Sequence, residues 1–291
     1  MAILFGKNKN TKISDKKQNT EVTVRIERES LCSAEYACYE HIGTREYQQD
    51  STRAGQGSGD VVFGILCDGM GGMEDGGLAS RIASDAFADA IRKMDPTDDI
   101  PEFLIQLVHK VNEQVYALPS QTGKRGALGT TLTAAVITGN SLNWISSGDS
   151  RIYIARGQEI VCVTRDHAYS LELDEQVRAG KLSPEDAATN PHRDALISFL
   201  GMERLEILDR NCNPFILEDG DIVLLCSDGL YRSLSDSDIL EIIERHREDL
   251  KECARVLPLH AFDKAQGNQD NTSVVLLRYQ FSGDSTQPFD R

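Results

Sequence analysis

Apolar residues along the chain follow two rhythms. The run Val61-Val-Phe-Gly-Ile-Leu-Cys67 is apolar throughout and bounded by turn residues, which predicts a buried strand. Ile222-Val-Leu-Leu-Cys226 predicts a second. Leu78, Ile82, Ala86, Ala90, Ile91 and Met94 recur at helical spacing, and so do Phe103, Leu104, Leu107, Val108, Val111 and Val115, predicting two amphipathic helices. Strands are expected over 130–137, 141–147, 151–155 and 159–164, with the short joins Thr138-Gly139-Asn140 and Gly157-Gln158 closing hairpins. Helices near 236–245 and 250–262 and a last strand over 273–279 complete the pattern. Residues 166–200 interrupt it with mixed helical pieces and an Asn190-Pro191-His192-Arg193 turn. There is no internal repeat. Strand runs punctuated by paired helices predict sheet layers covered by helices in one domain over 21–291. Residues 1–20, rich in Lys, Asn, Thr and Ser, read as a flexible basic tail.

The 291 residues are 40% hydrophobic and 26% charged, an ordinary globular composition. No apolar run approaches the roughly 18 residues of a membrane span. The stretch 2–5 follows no basic segment and is too short for a secretory core. Seven cysteines, odd in number and without a C-x-x-C pair, exclude a disulfide scaffold and a zinc ribbon, so a reduced, cytoplasmic protein is expected. The net charge is −15; the first twenty residues, with Lys7, Lys9, Lys12, Lys16 and Lys17 against Asp15, carry +4, leaving −19 on the body. Such a body repels nucleic-acid backbones and anionic lipid, so neither nucleic acid nor membrane is expected as a partner. An anionic substrate would need something locally positive, such as a metal ion.

Candidate chemistry gathers at the strand ends. The first buried run ends in Asp68-Gly69, the second in Ser227-Asp228-Gly229, and Asp270-Asn271 precedes the last strand. Carboxylates at the ends of rigid strands are held with little freedom, and several together stay ionised only beside a cation. Oxygen-only donors point to Mg²⁺ or Mn²⁺ rather than zinc. Asp-Gly is also a good turn dipeptide, and spacing alone leaves both readings open. The glycines of 69–77 allow close backbone approach to a ligand. They form no dinucleotide fingerprint, because Glu74 occupies the third glycine position; there is likewise no P-loop and no G-x-S-x-G elbow.

The ordered set Arg45-x-x-x-Gln49-Asp50, Asp68-Gly69-Met70-Gly71-Gly72, Gly129-Thr130-Thr131, Gly148-Asp149-Ser150-Arg151, Ser227-Asp228-Gly229 and Asp270-Asn271 resembles the metal-dependent serine/threonine protein phosphatases of type 2C, in their bacterial branch. The resemblance runs in order from Tyr36 to Tyr279. It implies an α+β fold, a four-layer α-β-β-α sandwich with a central antiparallel β-sandwich flanked by helices on both sides. It also implies hydrolysis of phosphoserine and phosphothreonine in proteins, by a water activated between two Mn²⁺ or Mg²⁺ ions and without a covalent intermediate. By position, Asp68 would bridge both ions, the Gly69 carbonyl would bind one, and Asp228 and Asp270 the other. Asp149, with Asp228, matches a third, weaker ion site. Arg45 would clamp the phosphate with its paired donors. Residues 166–200 match a variable flap beside the site. Phosphorylated proteins are the implied partners, together with a cognate serine/threonine kinase.

Two positions depart from the animal enzymes. Gln49 replaces a frequent Glu and removes a charge near the ion on Gly69; Met70 replaces a histidine proposed as general acid and cannot donate a proton. His41 and His167 are the histidines to test instead, each also readable as structural. Asp50 reads either as support for the ions or as a structural orienter. Cys67 and Cys226 read as core, Trp144 as a packing anchor, and Glu241, Glu244, Glu248 and Asp249 as a solvated helix face. Gln49 and Met70 also keep open a phosphoprotein-binding module with feeble catalysis, and the aspartates a metal store or sensor, though Arg45 is hard to explain there.

Overall fold

The computed structural model describes residues 21–24, 32–71, 75–95, 97–119, 123 and 126–281; the basic tail expected over 1–20 lies outside the described residues. The strands are β1 (Glu21–Val24), β2 (Cys32–His41), β3 (Asp50–Gln56), β4 (Val62–Met70), β5 (Gly129–Thr130), β6 (Leu132–Thr138), β7 (Ser141–Ser147), β8 (Arg151–Arg156), β9 (Glu159–Cys162), β10 (Asp209–Arg210), β11 (Phe215–Ile216), β12 (Ile222–Cys226) and β13 (Thr272–Phe281). The helices are α1 (Asp75–Lys93), α2 (Ile100–Tyr116), α3 (Ser170–Arg178), α4 (Pro184–Ala188), α5 (Asp228–Tyr231), α6 (Asp236–Arg245) and α7 (Leu250–Lys264).

Two antiparallel sheets lie face to face. One runs β1-β2-β13-β12-β8-β9; the other runs β10-β7-β6-β4-β3, with β11 also on β7 and β5 on β4. Side chains alternate across each sheet, as the two-residue period of a strand requires. Phe63, Ile65 and Cys67 of β4 pack against α1 and α2, whereas Val62 and Leu66 face the other sheet. In that sheet Leu224, Cys226, Val274 and Leu276 pack against α6 and α7, and Val223, Leu225, Val275 and Leu277 fill the space between the sheets. Burial on both faces is why these strands are apolar without a break. The four expected layers, α-β-β-α, are therefore present.

The hairpins occur where expected, with two residues between Thr138 and Ser141 and two between Arg156 and Glu159. Cys67 and Cys226 are fully buried, and Trp144 lies partly buried against the inter-sheet core. Glu241, Glu248 and Asp249 are exposed and Glu244 is half-buried beside Arg247; Asp249 in addition caps α7, accepting from the Glu252 N–H.

The inner face of α1 follows the expected stripe only in part. Leu78 points to solvent and Ile82, Ala86 and Ala90 are half-buried, while Ile91 and Met94 of the expected stripe lie in the core together with Ala79, Ala83 and Phe87. The cause is a seam of small and polar residues that lets the helix lie close to β3. Ser80 Oγ donates to the Gln49 carbonyl at 2.5 Å, and the Ser84 and Ser51 hydroxyls meet at 2.8 Å. Two strands escape the apolar rhythm altogether. β2 is a ten-residue strand of mixed composition, and β3, Asp50-Ser-Thr-Arg-Ala-Gly-Gln, carries polar residues that are buried by the neighbouring α1 and β2.

Candidate active site

Among the described residues, those of the sequence motifs lie at one end of the sandwich. Asp68 stands near the end of β4, opposite Asp50 at the start of β3; Asp149 lies in the β7–β8 link, Asp228 follows β12, and Asp270 precedes β13. Arg45 and Gln49 lie in the β2–β3 link. All of these except Asp50, with Gly69, Met70, Gly71, Thr131, Leu196, Phe199 and Asn271, line one cleft of about 490 Å³. Asp50 sits behind its floor, 4% exposed.

The links are held by hydrogen bonds to neighbouring strands. The Thr44 N–H and hydroxyl both donate to the Gln269 carbonyl at 2.9 Å, and Asn271 accepts from the Gln49 N–H at 2.8 Å while donating to the Ile42 carbonyl at 2.8 Å. The Gln49 carbonyl accepts from the Gly69 N–H at 3.0 Å, and the Gln49 side chain donates to the Gly71 carbonyl at 3.1 Å. Asp68 is tied to the residue between β5 and β6 through its N–H, which donates to Thr131 Oγ1 at 2.9 Å. Asp50 Oδ2 accepts from Ser227 Oγ at 2.8 Å, and Ser227 Oγ accepts from the Ser273 N–H at 2.9 Å, joining β3 of one sheet to the β12 end and β13 of the other.

The Asp-Gly pairs are not turns. Gly69 and Gly229 are absent from the positive-φ glycines, and what they supply is room. A Cβ on Gly69 would collide with the Gly76 and Gln49 carbonyls, and one on Gly229 with the Asn271 carbonyl and the Thr272 hydroxyl. Each glycine lets a second backbone segment pass directly behind an aspartate.

Crowded carboxylates perturb one another. Burial, then Asp50, Asp228, Asp149 and Asp270, pushes the Asp68 carboxyl well above the usual range. Burial pushes Asp228 up to about 6, with Asp149 and Asp270 adding and Arg232 opposing. Burial raises Asp149, against the pull of Arg232. Burial raises Asp50 to about 7 against the Ser273 and Ser227 hydroxyls. Two arginines stand among these groups. Arg45 Nη2 donates to Asp270 Oδ2 at 2.6 Å; Arg232 reaches Asp228 Oδ2 at 3.0 Å and Asp149 Oδ2 at 3.4 Å.

The donor set consists of hard oxygens that raise one another's pKa, which suits a divalent cation. Among the described residues no three acidic, histidine or cysteine side chains already close on one point. Neither candidate histidine, His41 or His167, lines the cleft. His41 accepts from the Gly43 N–H through Nδ1 at 3.0 Å and packs on Phe262, while His167 is 2% exposed and accepts from the Gly148 N–H at 3.2 Å. Burial lowers the pKa of both. Met70 is in the cleft lining.

The sequence left some neighbours unread. Leu196 and Phe199 reach the cleft because the Leu200 N–H and carbonyl pair with Thr130 at 2.9 and 3.0 Å, bringing the end of 166–200 beside β5. Arg232 had a readable signal: it lies four residues after Asp228 at a helix start, where side chains meet.

Residues 38–259 match the family described as Protein phosphatase 2C. The protein phosphatase PhpP of Streptococcus pneumoniae is 32% identical over 217 residues, 73% of this chain and 84% of that protein. A serine/threonine phosphatase of Streptococcus agalactiae superposes with a TM-score of 0.71 at 27% identity, covering 89% of this chain and 98% of its own. The catalytic domain of the serine/threonine protein phosphatase PstP, in complex with 2 manganese ions, superposes with a TM-score of 0.68 at 30% identity, covering 86% and 99%. With the fold, the cleft and a match over most of its length in agreement, the chain belongs to the protein phosphatase 2C family.

Proposed function

We propose that Asp68, the Gly69 carbonyl, Asp228 and Asp270 hold two divalent ions, Mn²⁺ or Mg²⁺, and that Arg45 holds the phosphate. The chain is a metal-dependent protein phosphatase acting on phosphoserine and phosphothreonine. The observation that carries this reading is the meeting of Asp68 from one sheet with Asp228 and Asp270 from the other, in one cleft beside Arg45. When bound, the ions supply an acidified water to attack phosphorus and positive charge against the phosphoryl oxygens.

The chain's own residues do the rest. Asp68, buried at a strand end and fixed through Thr131, presents its oxygens without reorganisation. The Arg45 side chain is 58% exposed and its single bond to Asp270 is open to solvent screening, so the fork is free to turn from that carboxylate onto a phosphate. Gln49 and Asp50 act as supports, Gln49 by fixing the Gly69 N–H and Gly71, and Asp50 by tying β3 to Ser227 beside Asp228. No histidine lines the cleft, and Met70 carries no proton, so the departing alkoxide takes its proton from water. Leu196 and Phe199 bring an apolar edge to the cleft, in keeping with a flap over 166–200 that meets the peptide beside the phosphoresidue. Phosphoproteins are the partners, a cognate serine/threonine kinase supplies them, and the cytoplasm is the proposed location; among the described residues no helix is long and apolar enough to cross a membrane.

Phosphate release from a phosphothreonine peptide tests this, measured with Mn²⁺, with Mg²⁺, with EDTA, and for Asp68→Ala. Release that depends on metal and is abolished by EDTA and by Asp68→Ala is expected. Full metal-stimulated activity in Asp228→Ala would refute the assignment. Tight Mn²⁺ binding without turnover would favour the phosphoprotein-binding module.

A further inference from the structure

Arg232 stands at the C-terminal cap of α5, one turn after Asp228, and its N–H donates to the Asp228 carbonyl at 3.0 Å. Its side chain folds back along that turn. Nε reaches Asp228 Oδ2 at 3.0 Å and Nη2 reaches Asp149 Oδ2 at 3.4 Å. One guanidinium thus bridges carboxylates delivered by two different links, the one after β7 and the one after β12. These partners are sheltered, with side chains 15% and 11% exposed, whereas the Asp270 side chain held by Arg45 is 41% exposed. Solvent therefore screens the Arg232 bridge less than the Arg45 pair.

The surroundings hold the residues beside this bridge. Tyr231 donates from its hydroxyl to the Asp149 carbonyl at 3.0 Å. The Arg151 guanidinium lies 3.6 Å over the Tyr231 ring and forks onto Asp166 at 2.9 and 2.7 Å. The residue before Arg232 and the residue it bridges to are thereby held in one packed unit. An arginine stays charged at any working pH, so its bridge cannot be released by deprotonation.

We propose that Arg232 takes, between Asp149 and Asp228, the place of a third divalent ion, so that this chain holds two ions rather than three. The proposal rests on the binuclear assignment of Asp68, Asp228 and Asp270. An ion entering between Asp149 and Asp228 would have to displace a cation held at two points, or share the space with a like charge at contact distance. Asp149 is then a residue that positions Arg232, and neutralisation of this side of the cleft does not depend on free metal.

Equilibrium dialysis against Mn²⁺ with metal analysis tests the proposal on the full chain, its Arg232→Ala, Arg232→Gln and Arg232→Lys variants, and Arg232→Ala combined with Asp149→Asn. The wild type is expected to bind two ions per chain. Arg232→Ala and Arg232→Gln gain a third, weaker site, at least about tenfold tighter than any third binding by the wild type. Arg232→Lys keeps the site closed, and Asp149→Asn removes the third ion again. Activity against Mn²⁺ concentration follows one saturating phase in the wild type and gains a second at higher metal in the neutral variants. Circular dichroism selects the variants that fold, and either neutral variant suffices. Three ions on the wild type, or only two on a folded neutral variant, would overturn the role of Arg232 and leave the binuclear centre standing. Fewer than two ions on the wild type would overturn the binuclear assignment and the proposal together.

Discussion

Replacing Asp50 by Asn in the metal-free protein should change how stability depends on pH. The carboxyl is fully buried, faces Asp68 across the β3–β4 ladder, and has its pKa pushed up to about 7 by burial, with Asp228 and Glu40 adding and the Ser273 and Ser227 hydroxyls opposing. A carboxyl raised in this way keeps its proton longer in the folded state than in the unfolded chain. Between the unfolded value of about 3.9 and about 7 the native state binds more protons, so stability falls as pH rises and the loss is complete above that window. A gap of about three pH units corresponds to a ceiling of about 4 kcal/mol, part of which is shared with Asp68. Asparagine does not titrate, and its side-chain oxygen still accepts from Ser227. The buried NH₂ has its own cost of about 1–3 kcal/mol, but that cost does not vary with pH. The informative quantity is the difference in unfolding free energy between variant and parent, measured by urea denaturation in EDTA. That difference should move in favour of the variant by up to about 4 kcal/mol between about pH 4 and about pH 8. A difference that stays constant across that range would show that Asp50 is not held protonated by its surroundings. With saturating Mn²⁺ both proteins should gain stability, because an ion that binds the native state and not the unfolded chain stabilises it by mass action.

Gly76→Ala would place a Cβ 2.8 Å from the Gly69 carbonyl oxygen and 2.6 Å from Gln49 Nε2, so one backbone segment must shift. Calorimetric titration should show Mn²⁺ affinity falling by about tenfold or more, as for other changes just behind a metal site, with the fold retained by circular dichroism. Arg151→Lys replaces a two-bond fork on Asp166 by a point charge and removes the planar group stacked on Tyr231. Hydrogen exchange around 166–168 should quicken while α1 and α2 stay protected; unchanged exchange there would mean that the backbone bonds of His167 suffice to hold the segment.

What could be read from the sequence and what could not follow from which forces leave a mark. Strands buried on both faces announce themselves as apolar runs, which is why β4 and β12, and with them Asp68 and Asp228, were legible. The two-residue hairpins were legible through their turn residues. β3 was not, because its buried positions Ser51 and Thr52 are satisfied by Ser84 and by Glu40 rather than by apolar contact. The face of α1 was legible only in part for a related reason, since Ile91 and Met94 mark its core side while the Ala and Ser positions packed at close range show a weak stripe and Leu78 is exposed. The glycines after Asp68 and Asp228 were visible but ambiguous. Turn propensity explains the dipeptide locally, whereas the segment that actually needs the space, Gly76 or Asn271, comes from elsewhere in the chain. Arg232 lay in plain view at helical spacing from Asp228, and its second partner, Asp149, depended on tertiary structure.

The acidic cleft straddles the seam of the sandwich. Asp68 belongs to one sheet, Asp228 and Asp270 flank strands of the other, and the chain crosses between the sheets here three times, in the β2–β3, β7–β8 and β9–β10 links. The β6–β7 and β8–β9 hairpins, by contrast, each stay within one sheet and do nothing to join the two. Mutual repulsion of the carboxylates works against the bonds that join the sheets at this end, and a cation held from both sides would relieve it. Starvation for divalent metal would therefore shorten the lifetime of the folded chain against proteolysis as well as stop its turnover.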